Sequence, residues 1–508
     1  MKSGTKSFLW YFIPAAAVLL SAGIFSLMGI DMHHDGVMFQ AAAEAARGKL
    51  VFRDIFCQYG ILPPLFQGAL LKIFGMELLV LKLATVLFYG GIILLCDQIW
   101  KRFLTPGSRA VNLLLVLLLA PYSMVTFHIW SSVYALFFML LATELLIQFL
   151  EKNKVGFLFF TGVCAMIILG FRWTCGTVMF PAVFAVLLIT RAARGETFRF
   201  WKSLLVFLAG AAVVGGIYAA YISFAGAWED CFRQCFGFAT GFAERRGGYS
   251  WSKIMQSLYP IYSSNQFFDC VFALFPLSCI LLGAVSCFKL LSSPREVVPA
   301  LPLIAAVVIA LAAWHQYHPV PCVRHLYWGA VPMMGGFVLV LQKIRQKEDY
   351  SRKKKIILLT LLGIFCLMAA SLRLYAGTMR IITFPRRHKT DLPGLRGMRL
   401  TVSEKRMVLG AQELCRMIPE NIRKRGIFNY TKDGLVPLLF PGETGFDHPM
   451  FVNWGRDVYR DYPEKAMEFI QKIRPAVAAD KVIFISGYRL AGSVSHHGTE
   501  YLIYLPEY

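Results

Sequence analysis

The chain has 508 residues, of which 57% are hydrophobic and only 16% are charged, and its mean hydropathy is +0.56. These values exclude an ordinary soluble globular protein and predict a membrane protein with many spans. The net charge of +22 does not indicate a nucleic-acid partner, because the lysines and arginines cluster in short loops between apolar runs.

About eleven apolar runs are suitable for crossing a bilayer, which takes about 20 helical residues. We predict spans at 8–30, 76–98, 109–126, 131–149, 155–170, 176–190, 203–225, 267–289, 297–313, 327–342 and 356–376. The basic clusters all fall on one side of the membrane in this topology, the richest being 343–355. The positive-inside rule therefore predicts an integral protein, expected in a bacterial plasma membrane, with a cytoplasmic N-terminus and an extracytoplasmic C-terminus.

The composition becomes that of a soluble domain from about residue 392. We therefore predict a transmembrane domain over 1–376, with an outer loop at 31–75, and a small extracytoplasmic α/β domain over 377–508. The expected elements of this domain are a helix capped by Ser403, a helix that follows Asp461, and strands at 481–486 and 501–505.

The outer loop opens with Asp31-Met-His-His-Asp35-Gly36, followed by a helical run that ends at Gly48. Asp35 has a structural explanation as the N-cap of that helix. The functional alternative is a general base, held ionised at the helix N-terminus. A third interpretation is a site for a divalent cation such as Mg²⁺ or Mn²⁺, although the spacing matches no established motif. The candidate metal ligands are Asp31, His33, His34 and Asp54.

The outer loop as a whole resembles the first outer loop of GT-C-type membrane glycosyltransferases, such as the families similar to protein mannosyltransferases and aminoarabinose transferases. The shared features are the Asp-x-x-His-Asp-Gly box, the alanine-rich helix ending at Gly48, the turn Arg53-Asp54-Ile-Phe56, Gln58-Tyr59-Gly60, and a proline-containing helix. The resemblance implies an inverting hexosyl- or pentosyltransferase that uses a polyprenyl-phosphate sugar donor. It implies Asp35 as the first candidate for the catalytic carboxylate and Asp31 as the next, with Asp54 as the paired carboxylate. Gly36 replaces the second acid of the Asp-Glu form, which leaves a metal requirement open.

A lipid-phosphate donor predicts cationic side chains on the same face, because a desolvated phosphate needs charge-assisted hydrogen bonds. Arg172 lies alone between two short spans, where a membrane anchor is the alternative. The segment 314–328 combines three histidines and one arginine with several aromatic residues. The phosphate-binding candidates are His34, Arg172, His318, Arg324 and His325.

Together these residues predict a membrane glycosyltransferase that moves a sugar to a glycan, lipid or protein acceptor on the extracytoplasmic face. The sequence has no glycine-rich nucleotide loop with a strand–helix unit, and this favours a lipid donor over a nucleotide sugar. The alternatives are a transporter or flippase for lipid-linked glycans, and a polysaccharide polymerase or ligase. No cofactor is expected beyond the divalent cation considered above.

Overall fold

The computed structural model of the chain describes residues 19–31, 34–119, 128–195, 198–241 apart from 239, 274–317, 323–347, 377–431, 461–496 and 499–507, with a few isolated positions between them. The α-helices described in full between residues 34 and 346 are α1 (His34–Ala46), α2 (Leu62–Phe74), α3 (Leu78–Trp100), α4 (Pro106–Leu119), α5 (Ser131–Lys152), α6 (Val155–Phe171), α7 (Trp173–Arg194), α8 (Phe200–Ala225), α9 (Trp228–Phe232), α10 (Leu274–Ser292), α11 (Leu301–Ala313) and α12 (Val323–Gln346). A π-helical turn, Arg233–Gly237, follows α9.

Six described helical segments are long and apolar enough to cross a membrane, namely α3, α5, α7, α8, α10 and the segment Pro294–Gln316 that contains α11. Two shorter apolar helices, α2 and α6, accompany them. The spans predicted between residues 76 and 342 thus correspond to α3–α8 and α10–α12 with shifted ends. The start of the first predicted span and most of the last lie outside the described residues, so the count of eleven stays a prediction.

The helical bundle has two chemically distinct ends. At one end Arg102 donates to both carboxylate oxygens of Glu144 at 2.7 Å, and Arg194 donates to the carbonyl oxygen of Leu150 at 2.6 Å. We call this the basic end, comprising residues 97–109, 144–154, 191–195, 198–199 and 342–347. The other end, comprising residues 28–31, 34–60, 128–132 and 170–173, carries the outer-loop acids, and we call it the site end.

The C-terminal residues form a small α/β structure. Its elements are β1 (His388–Lys389), β2 (Arg399–Leu400), α13 (Val402–Arg416), α14 (Glu420–Arg423), β3 (Ile427–Tyr430), α15 (Tyr462–Ile473), β4 (Ala476–Ala479), β5 (Tyr488–His496) and β6 (Thr499–Pro506). The larger sheet has the order β3-β4-β6-β5, in which β3 and β4 are parallel and the other pairs antiparallel. Alternate residues of β4 face two cores: Val477 packs with Ile470 of α15, whereas Ala476 packs with Ile422 of α14.

The structure changes two predictions for this region. Ser403 is not the helix cap, because Thr401 and Glu404 form a reciprocal capping box: Glu404 N–H donates to Thr401 Oγ1 at 3.2 Å, and Thr401 N–H donates to Glu404 Oε2 at 2.7 Å. The strand predicted at 481–486 is wrong, since the strand lies at Ala476–Ala479 and the side chain of Phe484 is 91% exposed. The strand predicted at 501–505 is confirmed within β6.

The C-terminal region packs directly on the chain that enters the site end. Gly29 N–H donates to the Arg399 carbonyl at 2.9 Å, and Arg399 N–H donates to the Leu27 carbonyl at 2.7 Å. Next to this contact, Arg396 N–H donates to Glu77 Oε2 at 2.9 Å, just before α3. β2 and the loop before it therefore fix the backbone on both sides of the outer loop.

Candidate active site

Asp31 and Asp35 are joined by hydrogen bonds at the start of α1. Asp35 N–H donates to the Asp31 carbonyl at 2.9 Å, and Asp31 N–H donates to Asp35 Oδ2 at 3.1 Å. The carboxylate of Asp31 caps the helix, because its Oδ1 accepts the N–H of His34 at 2.9 Å. The interpretation of Asp35 as the N-cap is therefore wrong, and its carboxylate is directed elsewhere.

That carboxylate meets a lysine from a membrane-spanning helix. Asp35 Oδ2 lies 2.9 Å from Lys82 Nζ, and both side chains are completely buried. Lys82 also donates to the carbonyl oxygen of Gly29 at 3.1 Å. The other oxygen of Asp35, Oδ1, has no hydrogen-bond partner among the described residues. Burial raises the pKa of Asp35, and the charge of Lys82 opposes that rise.

Asp31 is surrounded by imidazoles. His34 Nδ1 lies 3.0 Å from Asp31 Oδ2, and His128 Nδ1 lies 3.8 Å from the same oxygen. The two imidazole rings are 5.1 Å apart. Burial acts to raise the pKa of Asp31, but the hydrogen bond and charge of His34 and the charge of His128 outweigh it and hold this pKa well below its usual range.

These three side chains have the donor set of a divalent-cation site. One ligand atom from each of Asp31, His34 and His128 lies within 4.8 Å of the others. Two ligands that are each about 2.1 Å from one ion lie at most about 4.2 Å apart. The separations of 3.0 and 3.8 Å from Asp31 Oδ2 to the two imidazoles meet that limit, and all three ligand atoms lie within 4.8 Å of one another, so these residues are candidates for a metal ion. A carboxylate and two imidazoles suit Mn²⁺ or Zn²⁺ better than Mg²⁺.

Asp54 has local partners instead. Its carboxylate accepts hydrogen bonds from Arg53 at 2.8 and 2.9 Å and from Leu50 N–H at 2.8 Å. The hydrogen bond from Arg53 lowers the pKa of Asp54. Among the described residues, no hydrogen bond or ion pair joins Asp54 to Asp31 or Asp35. The catalytic and metal-binding roles of Asp54 therefore stay predictions.

A chain of contacts runs from His34 to Arg172. The His34 and Trp130 rings are 5.0 Å apart, as are those of Trp130 and Tyr59, and the Arg172 guanidinium lies 5.4 Å from the Tyr59 ring. Arg172 donates one hydrogen bond to Ser132 Oγ at 2.7 Å. Its buried Nε has no hydrogen-bond partner among the described residues. Arg172 thus retains donor capacity at the site end.

A glycine fixes the position of Tyr59. Gly60 has a φ of +146°, and a Cβ atom there would lie 2.3 Å from the carbonyl oxygen of Gly170. The adjoining hydrogen bond, from Trp173 N–H to the Tyr59 carbonyl, is 2.8 Å long. Only glycine allows this approach, which explains the Gln58-Tyr59-Gly60 sequence and brings the turn against Arg172.

Solved structures provide the comparison for this arrangement. ArnT from Cupriavidus metallidurans, bound to undecaprenyl phosphate, is 12% identical, with a TM-score of 0.54 over 99% of this chain and 98% of that chain. The chain has a GT-C fold. The archaeal oligosaccharyltransferase AglB from Archaeoglobus fulgidus, in complex with an inhibitory peptide and a dolichol-phosphate, is 11% identical, with a TM-score of 0.49 over 94% and 70% of the two chains. No protein-family model and no curated protein sequence matches.

The remaining candidates are only partly described. His33 and His318 lie outside the described residues, as do the side chains of Arg324 and His325. The backbones of Arg324 and His325 belong to the first turn of α12, whose far end contacts the basic end through the hydrogen bond from Thr105 N–H to Gln342. That turn therefore begins at the site end, and its role in phosphate binding stays a prediction.

Sequence reasoning missed two residues of the site. Lys82 lies within an apolar span, and a single lysine in such a span is itself a signal of a buried partner. His128 lies before α5 in a short loop, where nothing in the sequence connects it with Asp31. Only the packing of the chain brings these side chains to the outer-loop acids.

Proposed function

We propose that the chain is a membrane glycosyltransferase that moves a sugar from a polyprenyl-phosphate carrier to a hydroxyl or amine acceptor. The observation that carries this proposal is the group of Asp31, Asp35 and Lys82 at one end of a bundle with the GT-C fold, in which Asp35 and Lys82 are completely buried. The ArnT structure with this fold is bound to undecaprenyl phosphate, a carrier lipid of the proposed kind.

In the proposed reaction the acceptor oxygen or nitrogen attacks the anomeric carbon while the bond from that carbon to the phosphate oxygen breaks. Asp35 takes the proton of the acceptor, and the polyprenyl phosphate leaves with the bonding electrons, which inverts the anomeric centre. The free Oδ1 and the raised pKa of Asp35 suit a general base. Asp31, whose side chain is 16% exposed, is the more accessible carboxylate and the second candidate.

The leaving phosphate requires positive partners. Arg172 offers a guanidinium whose Nε is unpaired among the described residues, and it reaches the acids through the contacts of Tyr59 and Trp130. Arg324 and His325 belong to the first turn of α12 and are the further candidates for this phosphate site. Charge-assisted hydrogen bonds from such groups stabilise the developing phosphate charge.

We also propose that Asp31, His34 and His128 hold a divalent cation. The separations of Asp31 Oδ2 from the two imidazoles suit the ligands of one ion, and the second imidazole comes from the chain just before α5. A bound cation would supply positive charge beside the phosphate. Asp31 would then bind the ion, while Asp35 would remain paired with Lys82 and would accept the proton of the acceptor.

We infer that the basic end faces the cytoplasm of a bacterium and that the site end and residues 377–508 lie outside it. Clustered lysines and arginines at one end support this orientation. The contact of Arg399 with Gly29 puts the C-terminal region beside the site end. A C-terminal reporter that is active only in the cytoplasm would contradict this orientation and the acceptor location with it.

The function is tested by mass spectrometry of membrane glycolipids and glycans from cells with and without the protein. We expect a polyprenyl-phosphate monosaccharide to accumulate without the protein and one sugar to disappear from a glycan, lipid or protein. Accumulation of a whole lipid-linked glycan would favour the polymerase, ligase or flippase alternatives instead. Unchanged lipids and glycans would contradict all of these functions.

A further inference from the structure

A buried glutamine joins the outer loop to the C-terminal region. Gln234 lies in the π-helical turn Arg233–Gly237, and its side chain is completely buried. Its Oε1 accepts the N–H of Cys57 at 2.8 Å, and its Nε2 donates to the Phe52 carbonyl at 2.8 Å and to the Tyr459 hydroxyl at 2.9 Å. The amide therefore holds two positions of the outer loop and one position of the C-terminal region.

Asp230 fixes the direction of these hydrogen bonds. The Tyr459 hydroxyl donates to Asp230 Oδ1 at 2.6 Å, because an ionised carboxylate can only accept. The hydroxyl oxygen then accepts from Nε2 of Gln234, which places Oε1 opposite the N–H of Cys57. Both N–H groups and the oxygen of the amide are thus engaged within the chain, and this indicates a positioning role rather than a ligand-binding one.

The glutamine holds an unfavourable backbone turn. Phe52 has a φ of +71°, a left-handed conformation that is rare for a bulky residue, and its side chain is buried. The carbonyl of this residue is the one that Gln234 binds. Such conformations persist only where the surrounding structure holds them, and they cluster at functional sites. The turn therefore depends on Gln234 as well as on its own hydrogen bonds.

Apolar packing joins the same parts of the chain. Phe56, in the outer-loop turn, and Phe238, after the π-helical turn, have rings 6.0 Å apart. Both belong to the same buried cluster as Tyr462 and Ile470 of α15. Tyr459 is attached to the start of that helix, because the N–H of Tyr462 donates to the Tyr459 carbonyl at 3.0 Å. The C-terminal region is thus docked on the outer-loop turn by a hydrophobic core as well as by hydrogen bonds.

The turn leads directly to the proposed phosphate-binding arginine. Two residues after Cys57, the Tyr59 ring lies 5.4 Å from the Arg172 guanidinium. The backbone of Tyr59 is also bonded to the residue after Arg172, since the N–H of Trp173 donates to the Tyr59 carbonyl at 2.8 Å. A shift of the turn would therefore move the aromatic partner of Arg172.

We propose that Gln234 is a positioning residue for Arg172, and that Tyr459 is the group through which the C-terminal region holds it. The inference rests on the proposed transfer from a lipid-phosphate donor and adds a role for the C-terminal region in binding that donor. Loss of either group loosens the turn and weakens donor binding, while the acids at the start of α1 keep their partners.

The test measures binding of undecaprenyl phosphate to the full chain in nanodiscs. Gln234→Met keeps the length of the side chain and removes its hydrogen bonds, and it should weaken binding about tenfold. Tyr459→Phe removes only a hydroxyl and should weaken binding about threefold, and it replaces Gln234→Met if that variant unfolds.

Tyr488→Phe is the matched control and should bind normally. The Tyr488 hydroxyl also bonds within the C-terminal region, at 3.1 Å from the Ile470 carbonyl and 2.9 Å from the Pro475 carbonyl. A merely structural role of Tyr459 would make the two variants alike, with some loss of stability and parental affinity.

A double-mutant cycle tests whether the effect passes through Arg172. In a chain that already carries Arg172→Ala, Tyr459→Phe should have no further effect on affinity. Parental affinity in both Gln234→Met and Tyr459→Phe would overturn the proposal. An equal loss with and without the Arg172 side chain would also overturn it.

Hydrogen exchange separates this proposal from the proposed function. If the parent chain does not bind undecaprenyl phosphate, the lipid-donor function fails. Exchange at the amides of residues 52–60 and of Trp173 then decides about the positioning of Arg172. Faster exchange in Gln234→Met and Tyr459→Phe than in Tyr488→Phe supports this positioning, and equal exchange in all three variants refutes it.

Discussion

The carboxylates at the two ends of the bundle differ in how completely they are paired. At the basic end the carboxylates of Glu144 and Glu151 share Arg102, and Asp97 pairs with Arg109. The arginines of these pairs are partly exposed and bind the carboxylates through several guanidinium N–H groups, so the chain itself completes these hydrogen bonds. At the site end Asp35 has a single buried lysine and one oxygen without a partner among the described residues.

This difference distinguishes ion pairs that hold helix ends together from groups that can take part in a reaction. Ion pairs that are complete within the chain hold helix ends together and leave nothing for a ligand. Incomplete groups at the site end, such as Asp35 Oδ1 and Arg172 Nε, keep hydrogen-bonding capacity that a substrate can use. Such unsatisfied groups are unfavourable without a ligand, which is a reason to assign them a function.

The largest effect is expected for Asp35, whose Oδ1 has no hydrogen-bond partner among the described residues. Asp35→Asn should reduce sugar transfer at least a hundredfold, because the amide cannot accept the acceptor's proton. It also leaves the charge of Lys82 uncompensated, so some loss of stability is expected. Complementation of the strain without the protein, followed by glycolipid mass spectrometry, measures transfer.

The double variant Asp35→Asn with Lys82→Met separates the two consequences. It removes both charges, so it should recover stability while transfer stays low. Parental transfer in either variant would exclude Asp35 as the base and move the assignment to Asp31.

The second prediction compares how much an ion pair at each end contributes to the free energy of unfolding. Lys82→Ala leaves a buried carboxylate alone and should lower the free energy of unfolding by about 3–5 kcal/mol. Arg102→Ala removes a partly exposed partner and should lower it by about 1 kcal/mol. Thermal unfolding of both purified variants measures this. Equal losses would show that burial of the Asp35–Lys82 pair has no special energetic weight.

The third prediction concerns the arginines of the two ends. Arg172→Ala and Arg324→Ala should weaken binding of undecaprenyl phosphate about ten- to a hundredfold, since each loses a charge-assisted hydrogen bond to a desolvated phosphate. Arg194→Ala, at the basic end, is the control and should bind normally. Full retention of affinity in both site-end variants would make these arginines membrane anchors only.

The fourth prediction addresses the imidazoles. His128→Ala or His34→Ala should weaken Mn²⁺ binding about tenfold or more, because each removes a ligand of the proposed ion. Electron paramagnetic resonance of the purified chain measures bound Mn²⁺, and His388→Ala, which changes an exposed strand residue, is the control. The metal site is refuted if the parent chain binds no Mn²⁺ or Zn²⁺.

The smallest effect is expected at Asp54. Its carboxylate is occupied by Arg53 and Leu50 N–H, so Asp54→Asn should reduce transfer less than tenfold. The lowered pKa of Asp54 adds stability that is present above the carboxylate's usual pKa and is lost as the pH falls through its folded pKa. A hundredfold loss of transfer would instead restore Asp54 as the paired catalytic carboxylate predicted from the sequence.

The sequence was sufficient to predict the helices between residues 76 and 342, because a helix that crosses a bilayer requires an apolar run of about 20 residues. It also proposed Asp31, Asp35 and His34 as site candidates, and the structure places these three side chains together. It did not connect Lys82 or His128 with that box, because both reach it only through helix packing. The strand Ala476–Ala479 was missed because three of its four residues are alanine, a residue with weak strand preference.

The length of α6 has a consequence for the lipid around the protein. Its 17 residues extend about 26 Å, less than the roughly 30 Å hydrocarbon thickness of a bilayer, whereas the 26 residues of α8 extend about 39 Å. Such hydrophobic mismatch is relieved by local thinning of the bilayer and by tilt of the longer helix. A bilayer thinned to the length of α6 would bring the lipid headgroups on that side to the level of Arg172, at the end of this helix.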